Sequence, residues 1–227
     1  MPELEDVTRL DMPSVPNVPW WGLATSVAGP VLLVTGWTIA ARLQPAPFDP
    51  VSQTVSDLME VGATDRWLMT GALLVVGVCY IVTGAALRPA GTAGRLILIA
   101  GALTGMMVAF FPLHPGISVW HGIWSVLGFA GLAAWPLGAW RRGPSVPWGL
   151  RRSACFAAVA VQLALLAWFV AEVLLVGDWT GLVERLVGLA QALIPLVVVL
   201  SCRLSDPRRK YFAARSSECR SSSVSDA

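Results

Sequence analysis

The chain has 227 residues, of which 56% are hydrophobic and only 13% are charged, and its mean hydropathy is +0.66. This composition excludes an ordinary soluble domain and predicts a polytopic membrane protein in contact with the lipid bilayer. The net charge is +2, and the basic residues, nearly all Arg, are grouped outside the hydrophobic runs. That grouping indicates membrane orientation and excludes a nucleic-acid partner.

The two ends of the chain differ from its hydrophobic middle. Residues 1–20 contain four acidic residues against the single Arg9, which excludes a signal peptide and predicts a disordered cytoplasmic arm. Residues 203–227 are rich in Ser and Arg and predict a disordered, basic cytoplasmic tail. The membrane domain is therefore predicted to occupy residues 21–202.

Six hydrophobic runs are long enough to form helices that cross the bilayer, since a crossing needs about 20 apolar residues. The predicted fold is therefore all-α, a bundle of six transmembrane helices. The predicted spans are residues 21–42, 66–88, 95–112, 120–140, 153–176 and 181–202. Gly101 and Gly105 in the third span predict close helix packing, either within the bundle or in a homo- or hetero-oligomer.

The loops between these spans differ in charge and predict the orientation of the protein. Residues 43–65 contain four acidic residues and no Lys or Arg, whereas Arg residues gather in the loops on the other side. These are Arg88, Arg95, Arg141, Arg142, Arg151 and Arg152, followed by the basic start of the tail. The positive-inside rule therefore predicts a multi-pass protein of the cytoplasmic membrane with both termini in the cytoplasm.

The run FDPVSQTVSDL at residues 48–58 lies in the first outer loop and is unusually polar for this chain. Asp49 precedes a proline, which is typical of a cap residue followed by the first residue of a helix. Apolar residues then recur at helical spacing over residues 51–59, which predicts a short amphipathic outer helix between spans 1 and 2. Capping explains Asp49 and Ser52 locally, whereas Asp57 has no such explanation.

Further polar residues gather at the predicted outer ends of the spans. Ionisable residues at membrane depth usually face the bundle interior or water, although those near a span end can also extend to the interface. The candidates for acid–base chemistry are Asp57, His121 and Glu184. The candidates for ligand binding are Asp49, Ser52, Ser56, Arg66, Arg185 and Gln191.

Several runs of this chain are similar to a known family. They are FDPVSQTVSDL, DRWLMTGALL, LRPAGTAGR, FPLHPGISVWHGIWSVLGF and GLVERLVGLAQALIPLVVVLSCR. Over residues 20–205 the chain resembles the bacterial six-span membrane family catalogued as domain of unknown function 998. The resemblance implies the six-span fold and an outward-facing set of polar positions, namely Asp49, Ser52, Ser56, Asp57, Arg66, His121, Glu184 and Arg185. It implies no reaction.

The motifs of several common chemistries are missing from the sequence. There is no GxxxxGK phosphate loop, no HExxH and no CxxC pair, so no cofactor is predicted. His114 and His121 form a poor zinc site without a third ligand. Asp57 could supply one, but the sequence favours no metal site.

Three functional hypotheses remain open, and the sequence does not decide whether the protein is an enzyme. The first is a pocket for a lipid, an isoprenoid or a similar small amphiphile, in which Arg66 and Arg185 hold an anionic head group. The second is a membrane-embedded hydrolase, transferase or isoprenoid cyclase that uses Asp57 or Glu184 as acid and His121 as base or proton partner. The third is a membrane scaffold, in which ion pairs between these charges lock the helix ends.

Overall fold

The structure is a computed structural model that describes residues 17–114 and 118–205. These residues form six α-helices and contain no β-strand. The helices are α1 Trp20–Arg42, α2 Arg66–Ala86, α3 Thr92–Met107, α4 Val119–Ala139, α5 Arg152–Leu175 and α6 Thr180–Leu204. Two short 3-10 helices, Asp57–Met59 and Trp148–Leu150, lie between them. The chain is thus a polytopic helical membrane protein, as predicted.

Five of the six described helices are long and apolar enough to cross a membrane, and α3, with 16 residues, is shorter. Helix α3 starts at Thr92, three residues before Arg95, where the sequence predicts the start of the third span. The Arg95 guanidinium donates hydrogen bonds to the carbonyl oxygens of Gly84 (2.9 Å) and Ala85 (2.9 Å). These carbonyls lie at the end of α2 and lack partners within that helix, so Arg95 is accommodated inside α3.

Each helix packs against the next one along the chain, and α6 packs against α1, which closes a ring. The acidic segment 43–65 lies at one end of the bundle, together with residues 108–114, 118 and 176–179; we call this the acidic end. The other end carries residues 87–91 and 140–151, which include Arg88, Arg141, Arg142 and Arg151; we call it the arginine end. Most of the predicted arm (1–20) and tail (203–227) falls outside the described residues.

Glycines bring the helix backbones into direct contact. A Cβ atom on Gly101 of α3 would lie 2.8 Å from the backbone nitrogen of Leu132 in α4, and one on Gly128 would lie 2.9 Å from the Cα of Gly105. In the same way, a Cβ on Gly36 of α1 would lie 2.6 Å from the Cβ of Ala72 in α2. The small residues predicted to mediate packing therefore do so within the bundle.

Candidate functional site

The first turn of the loop is held by the cap that the sequence predicts. The carboxylate of Asp49 accepts hydrogen bonds from the Val51 amide (3.0 Å) and the Ser52 hydroxyl (2.6 Å). The Gln53 side chain in turn accepts one from the Asp49 amide (2.8 Å). The Ser52 hydroxyl first, and then the Val51 amide, hold the pKa of the Asp49 carboxyl below its ordinary value, because both bonds favour the charged form.

The predicted outer helix does not continue through this loop but is limited to the three-residue 3-10 helix Asp57–Met59. The Thr54 amide donates to the Asp57 carboxylate (2.7 Å), and the Asp57 amide donates to the Thr54 hydroxyl (3.1 Å). Such local side-chain bonds compete with helical backbone bonds, so the helical segment begins only at Asp57. Asp57 therefore does have a local structural role, contrary to the interpretation of the sequence.

Glu184, in the second turn of α6, binds the middle of the loop. Its carboxylate accepts hydrogen bonds from the Val55 amide and from the Ser56 hydroxyl (3.0 Å). The side chain is buried, with 7% of its surface exposed. A buried carboxylate requires partners of this kind, because burying an unpaired one is strongly unfavourable.

Arg185 binds the first turn of the same loop. One of its guanidinium nitrogens, Nη1, donates to the carbonyl oxygens of Pro50 (2.9 Å), Gln53 (2.8 Å) and Gly181 (2.9 Å). The Leu182 amide also donates to the Val51 carbonyl (2.9 Å). Residues 49–57 are thus docked on the start of α6, and we call them the docked loop.

The docked loop covers a cavity of about 110 Å³ in the bundle. The cavity is lined by residues of α1, α2, α3, α4 and α6, together with Val55, Ser56 and Met59 of the first connection. Its apolar wall consists of Leu33, Trp37, Met69, Leu73, Val76, Val108, Phe129 and Leu132. Helix α5 contributes no lining residue.

Polar side chains from several elements meet at this cavity. Ser56, Glu184 and Gln191, three of the predicted site residues, line it together with Tyr80 and Ser125. The Gln191 amide nitrogen donates to the Phe129 carbonyl (3.0 Å). Its amide oxygen, like the hydroxyls of Tyr80 and Ser125, has no hydrogen-bond partner among residues 17–114 and 118–205. Tyr80 and Gln191 are 5% and 2% exposed, so these two side chains lie inside the bundle, whereas Ser125 is partly exposed.

Other predicted site residues lie outside the cavity wall. Asp57 lines a depression on the surface of the acidic end. His121 lines a separate depression and bonds through Nδ1 to the Phe111 carbonyl oxygen (2.9 Å). Arg66 places its guanidinium 4.0 Å from the ring centre of Trp67. The acid–base candidates Asp57 and His121 are therefore not hydrogen-bonded to each other.

No direct ion pair of the kind expected of a scaffold joins these side chains in the described part of the chain, although the charges of Glu184 and Asp57 act on Arg185. Neither Asp57 nor Glu184 pairs there with Arg66 or Arg185. Both Glu184 and Arg185 instead bind groups of the docked loop. The described residues also contain no group of three or more His, Cys, Asp or Glu side chains that could hold a metal ion.

Sequence reasoning missed Tyr80 as a residue of the cavity. Tyr80 lies near the middle of α2, whereas Tyr and Trp in membrane proteins are concentrated at the two interfaces. A tyrosine far from both ends of a span is the signal that would have identified it. Its ring also packs against α1, where a Cβ on Gly29 would lie 3.4 Å from the ring.

Comparison with known proteins identifies one family. The family model described as "Protein of unknown function (DUF998)" matches residues 27–201, which is more than half of the chain. No curated protein and no solved structure matches the chain.

Proposed function

The chain belongs to the DUF998 family of proteins of unknown function, and we propose that it binds or handles a lipid, an isoprenoid or a similar small amphiphile. The observation that carries this proposal is the cavity beneath the docked loop, with apolar walls and a few polar groups. Small-molecule sites in proteins typically combine apolar walls with a small number of placed polar groups. The unpartnered amide oxygen of Gln191 and the Tyr80 hydroxyl supply such groups.

The volume of the cavity limits what it can enclose. An apolar protein cavity of about 150 Å³ binds benzene, and this cavity measures about 110 Å³. It therefore has room for one group the size of an isoprene unit, about five carbon atoms. We assign it to the end of an amphiphile, or to the whole of a very small one.

The alternative of an acid–base enzyme has less support from the geometry. Asp57 and His121 line two different surface depressions and share no hydrogen bond, although the charge of Asp57 acts on His121. The carboxyl group at the cavity is that of Glu184, and both of its oxygens accept hydrogen bonds from the docked loop. Binding is therefore the function that we propose.

We also propose that the acidic end faces out of the cell, across the cytoplasmic membrane, with both termini in the cytoplasm. The support is the charge of the connections. Residues 87–91 and 140–151 carry Arg88, Arg141, Arg142 and Arg151, whereas residues 43–65 carry no basic residue. Basic residues in short loops favour the cytoplasmic side. The docked loop then covers the cavity on its outer side.

A cavity-filling substitution tests the binding proposal. A Cβ atom on Gly188, which lines the cavity, would lie 3.6 Å from Leu33 and 3.8 Å from Trp37, both ordinary contacts. Gly188→Leu should therefore fill the space without forcing the helices apart. Gly71→Leu is the matched control, because a Cβ there would meet no atom within 4 Å and Gly71 does not line the cavity.

The probe is 3-methyl-2-buten-1-ol, a five-carbon alcohol of isoprene size, and the measurement is the thermal unfolding midpoint of the purified protein. Ligands that bind the folded state raise its stability by mass action. The alcohol should raise the midpoint of the wild type and of Gly71→Leu, but not that of Gly188→Leu. An equal response of all three proteins, or no response in any, would refute the proposal.

A further inference from the structure

A second concave surface lies at the acidic end, between the last turns of α1, residues 44–50 and the start of α6. Its volume is about 600 Å³. We call it the proline groove, because Pro45, Pro47 and Pro50 form part of its wall. Proline fixes its own φ angle and restricts the residue before it, so this wall is stiff.

Two arginines and no acidic residue line the proline groove. Arg42, in the last turn of α1, is exposed and makes no side-chain hydrogen bond or ion pair with the described residues. Arg185 uses only Nη1 in bonds to the docked loop, so its Nε and Nη2 hydrogens have no acceptor within the described chain. The groove therefore offers two positive charges with free donors.

Three carboxylates, those of Glu184, Asp57 and Asp49, act on Arg185 through their charge, but none of them contacts its free donors. The Asp49 carboxylate is bound by Val51 and Ser52. The Glu184 carboxylate is bound by Val55 and Ser56. Neither residue lines the groove.

Aromatic rings hold the Arg185 guanidinium in place. Its central carbon lies 5.9 Å from the ring centre of Trp37 and 5.6 Å from that of Phe48, and both rings line the groove. Cation–π contacts of this kind restrict a guanidinium without using its hydrogen-bond donors. Arg185 is thus fixed by its contacts on Nη1 and by the two rings, while its remaining donors stay available.

We propose that the proline groove binds the phosphate of an anionic phospholipid. Arginine is suited to phosphate because its planar fork can donate two parallel hydrogen bonds to the oxygens. The groove also adjoins the lipid-facing side of α1, since exposed Val34 and Val31 lie one and two turns before Thr38 on the same helix face. Acyl chains can follow that face while the phosphate lies between the two arginines.

This inference is independent of the internal cavity, and its test uses a substitution that leaves the docked loop intact. Arg42→Gln removes one charge from a side chain that makes no bond in the described structure. Arg88→Gln is the matched control, an exposed arginine at the other end of the bundle. Gly188→Leu separates the two proposals, because Gly188 lines the cavity and does not line the groove. Trp37 lines both, and it would be an ordinary neighbour of the added Cβ at 3.8 Å.

The measurement is lipid binding by native mass spectrometry of the full chain, with phosphatidylglycerol and phosphatidylcholine of identical acyl chains, near physiological ionic strength. The wild type, Arg88→Gln and Gly188→Leu should prefer phosphatidylglycerol. In Arg42→Gln the affinity for it should fall about tenfold, as expected for the loss of one charge-assisted contact.

Three results would overturn the proposal. The first is equal binding of the two lipids to the wild type. The second is an equal loss of affinity in Arg42→Gln and Arg88→Gln. The third is displacement of phosphatidylglycerol by inorganic phosphate, or stabilisation by inorganic phosphate without lipid, since the ligand would then be the free anion.

Discussion

Glu184 is the residue at which the docked loop and the internal cavity meet. Its carboxylate accepts two hydrogen bonds from the loop, one from the Val55 amide and one from the Ser56 hydroxyl, and Glu184 also lines the cavity. In Glu184→Gln one acceptor oxygen becomes a donor, so one loop group loses its buried partner. We expect the free energy of unfolding to fall by about 1–3 kcal/mol, measured by thermal unfolding in detergent.

Glu60→Gln is the control for this prediction. Glu60 lies in the same connection, but its side chain makes no hydrogen bond in the described structure. We therefore expect the free energy of unfolding of Glu60→Gln to match that of the wild type. Equal stability of Glu184→Gln and Glu60→Gln would mean that the contact between Glu184 and the loop does not hold the loop in place.

Asp49 gives a prediction about pH. Because the pKa of its carboxyl is held below the ordinary value of 3.8 in the folded protein, the charged form stabilises the fold at higher pH. That contribution is fully present above the ordinary value and is lost as pH falls through the folded-state value. The thermal midpoints of the wild type and Asp49→Asn should therefore differ at pH 6 and approach each other only as the pH falls below 3.8. A constant difference across this range would contradict the role assigned to the carboxylate.

Local bonds of the site residues could be predicted from the sequence, but long-range ones could not. The cap formed by Asp49 and Ser52 depends on residues three positions apart, so turn chemistry is sufficient to predict it. The partner of Glu184 lies 129 residues away. No local pattern encodes that pairing, because it arises from the way α6 packs beside the end of α1.

Among the helix pairs, the close packing of α3 against α4 depends most directly on glycine. A Cβ on Gly101 would lie 2.8 Å and 2.9 Å from backbone atoms of Leu132 and Gly131, and backbone atoms cannot rotate away. Gly101→Ala should therefore force the two helices apart. We expect it to destabilise the protein by about 1–3 kcal/mol, measured as a lower thermal midpoint.

The matched control for Gly101→Ala is Gly71→Ala within α2. A Cβ on Gly71 meets no atom within 4 Å. Alanine is also the better helix former by about 0.5–1 kcal/mol, so this variant should be as stable as the wild type or more stable. If both variants lose stability equally, the effect is general to glycine substitution and does not come from the α3–α4 contact.

The helices themselves were predictable because hydrophobic runs of spanning length allow few alternatives in a membrane. The structure of the connection at residues 43–65 was less predictable. The spacing of its apolar residues favours one helix, but several of its backbone carbonyl groups accept hydrogen bonds from α6. The Val51 carbonyl accepts one from the Leu182 amide, and the carbonyls of Pro50 and Gln53 accept bonds from the Arg185 side chain. A helix through this segment would need those same groups for its own hydrogen bonds. Tertiary contacts therefore override the local pattern.

At the scale of the whole molecule, the closed ring of helices produces the cavity. Gly105, Gly128 and Gly188 line it and have no side chains to fill it. The sequence shows these glycines but not which way they face, since that depends on the rotation of each helix in the ring. The composition could thus predict a six-helix bundle, whereas the cavity beneath the docked loop became visible only in the folded structure.

The orientation of the bundle gives a prediction for intact cells. Ala46 at the acidic end and Ser145 at the arginine end are both exposed. In a Cys219→Ser background, Ala46→Cys should react with a membrane-impermeant maleimide added to whole cells, and Ser145→Cys should react only after permeabilisation. The three described native cysteines, Cys79, Cys155 and Cys202, are buried and should give little background.

The physical reason for this expectation is the distribution of arginines, because short loops rich in Lys and Arg are retained in the cytoplasm. The opposite labelling pattern would place the acidic end inside the cell and contradict the proposed orientation. The docked loop and the proline groove would then face the cytoplasmic leaflet. Ligands would have to reach both sites from that side, so this labelling result also decides which leaflet should supply the lipid in a binding experiment.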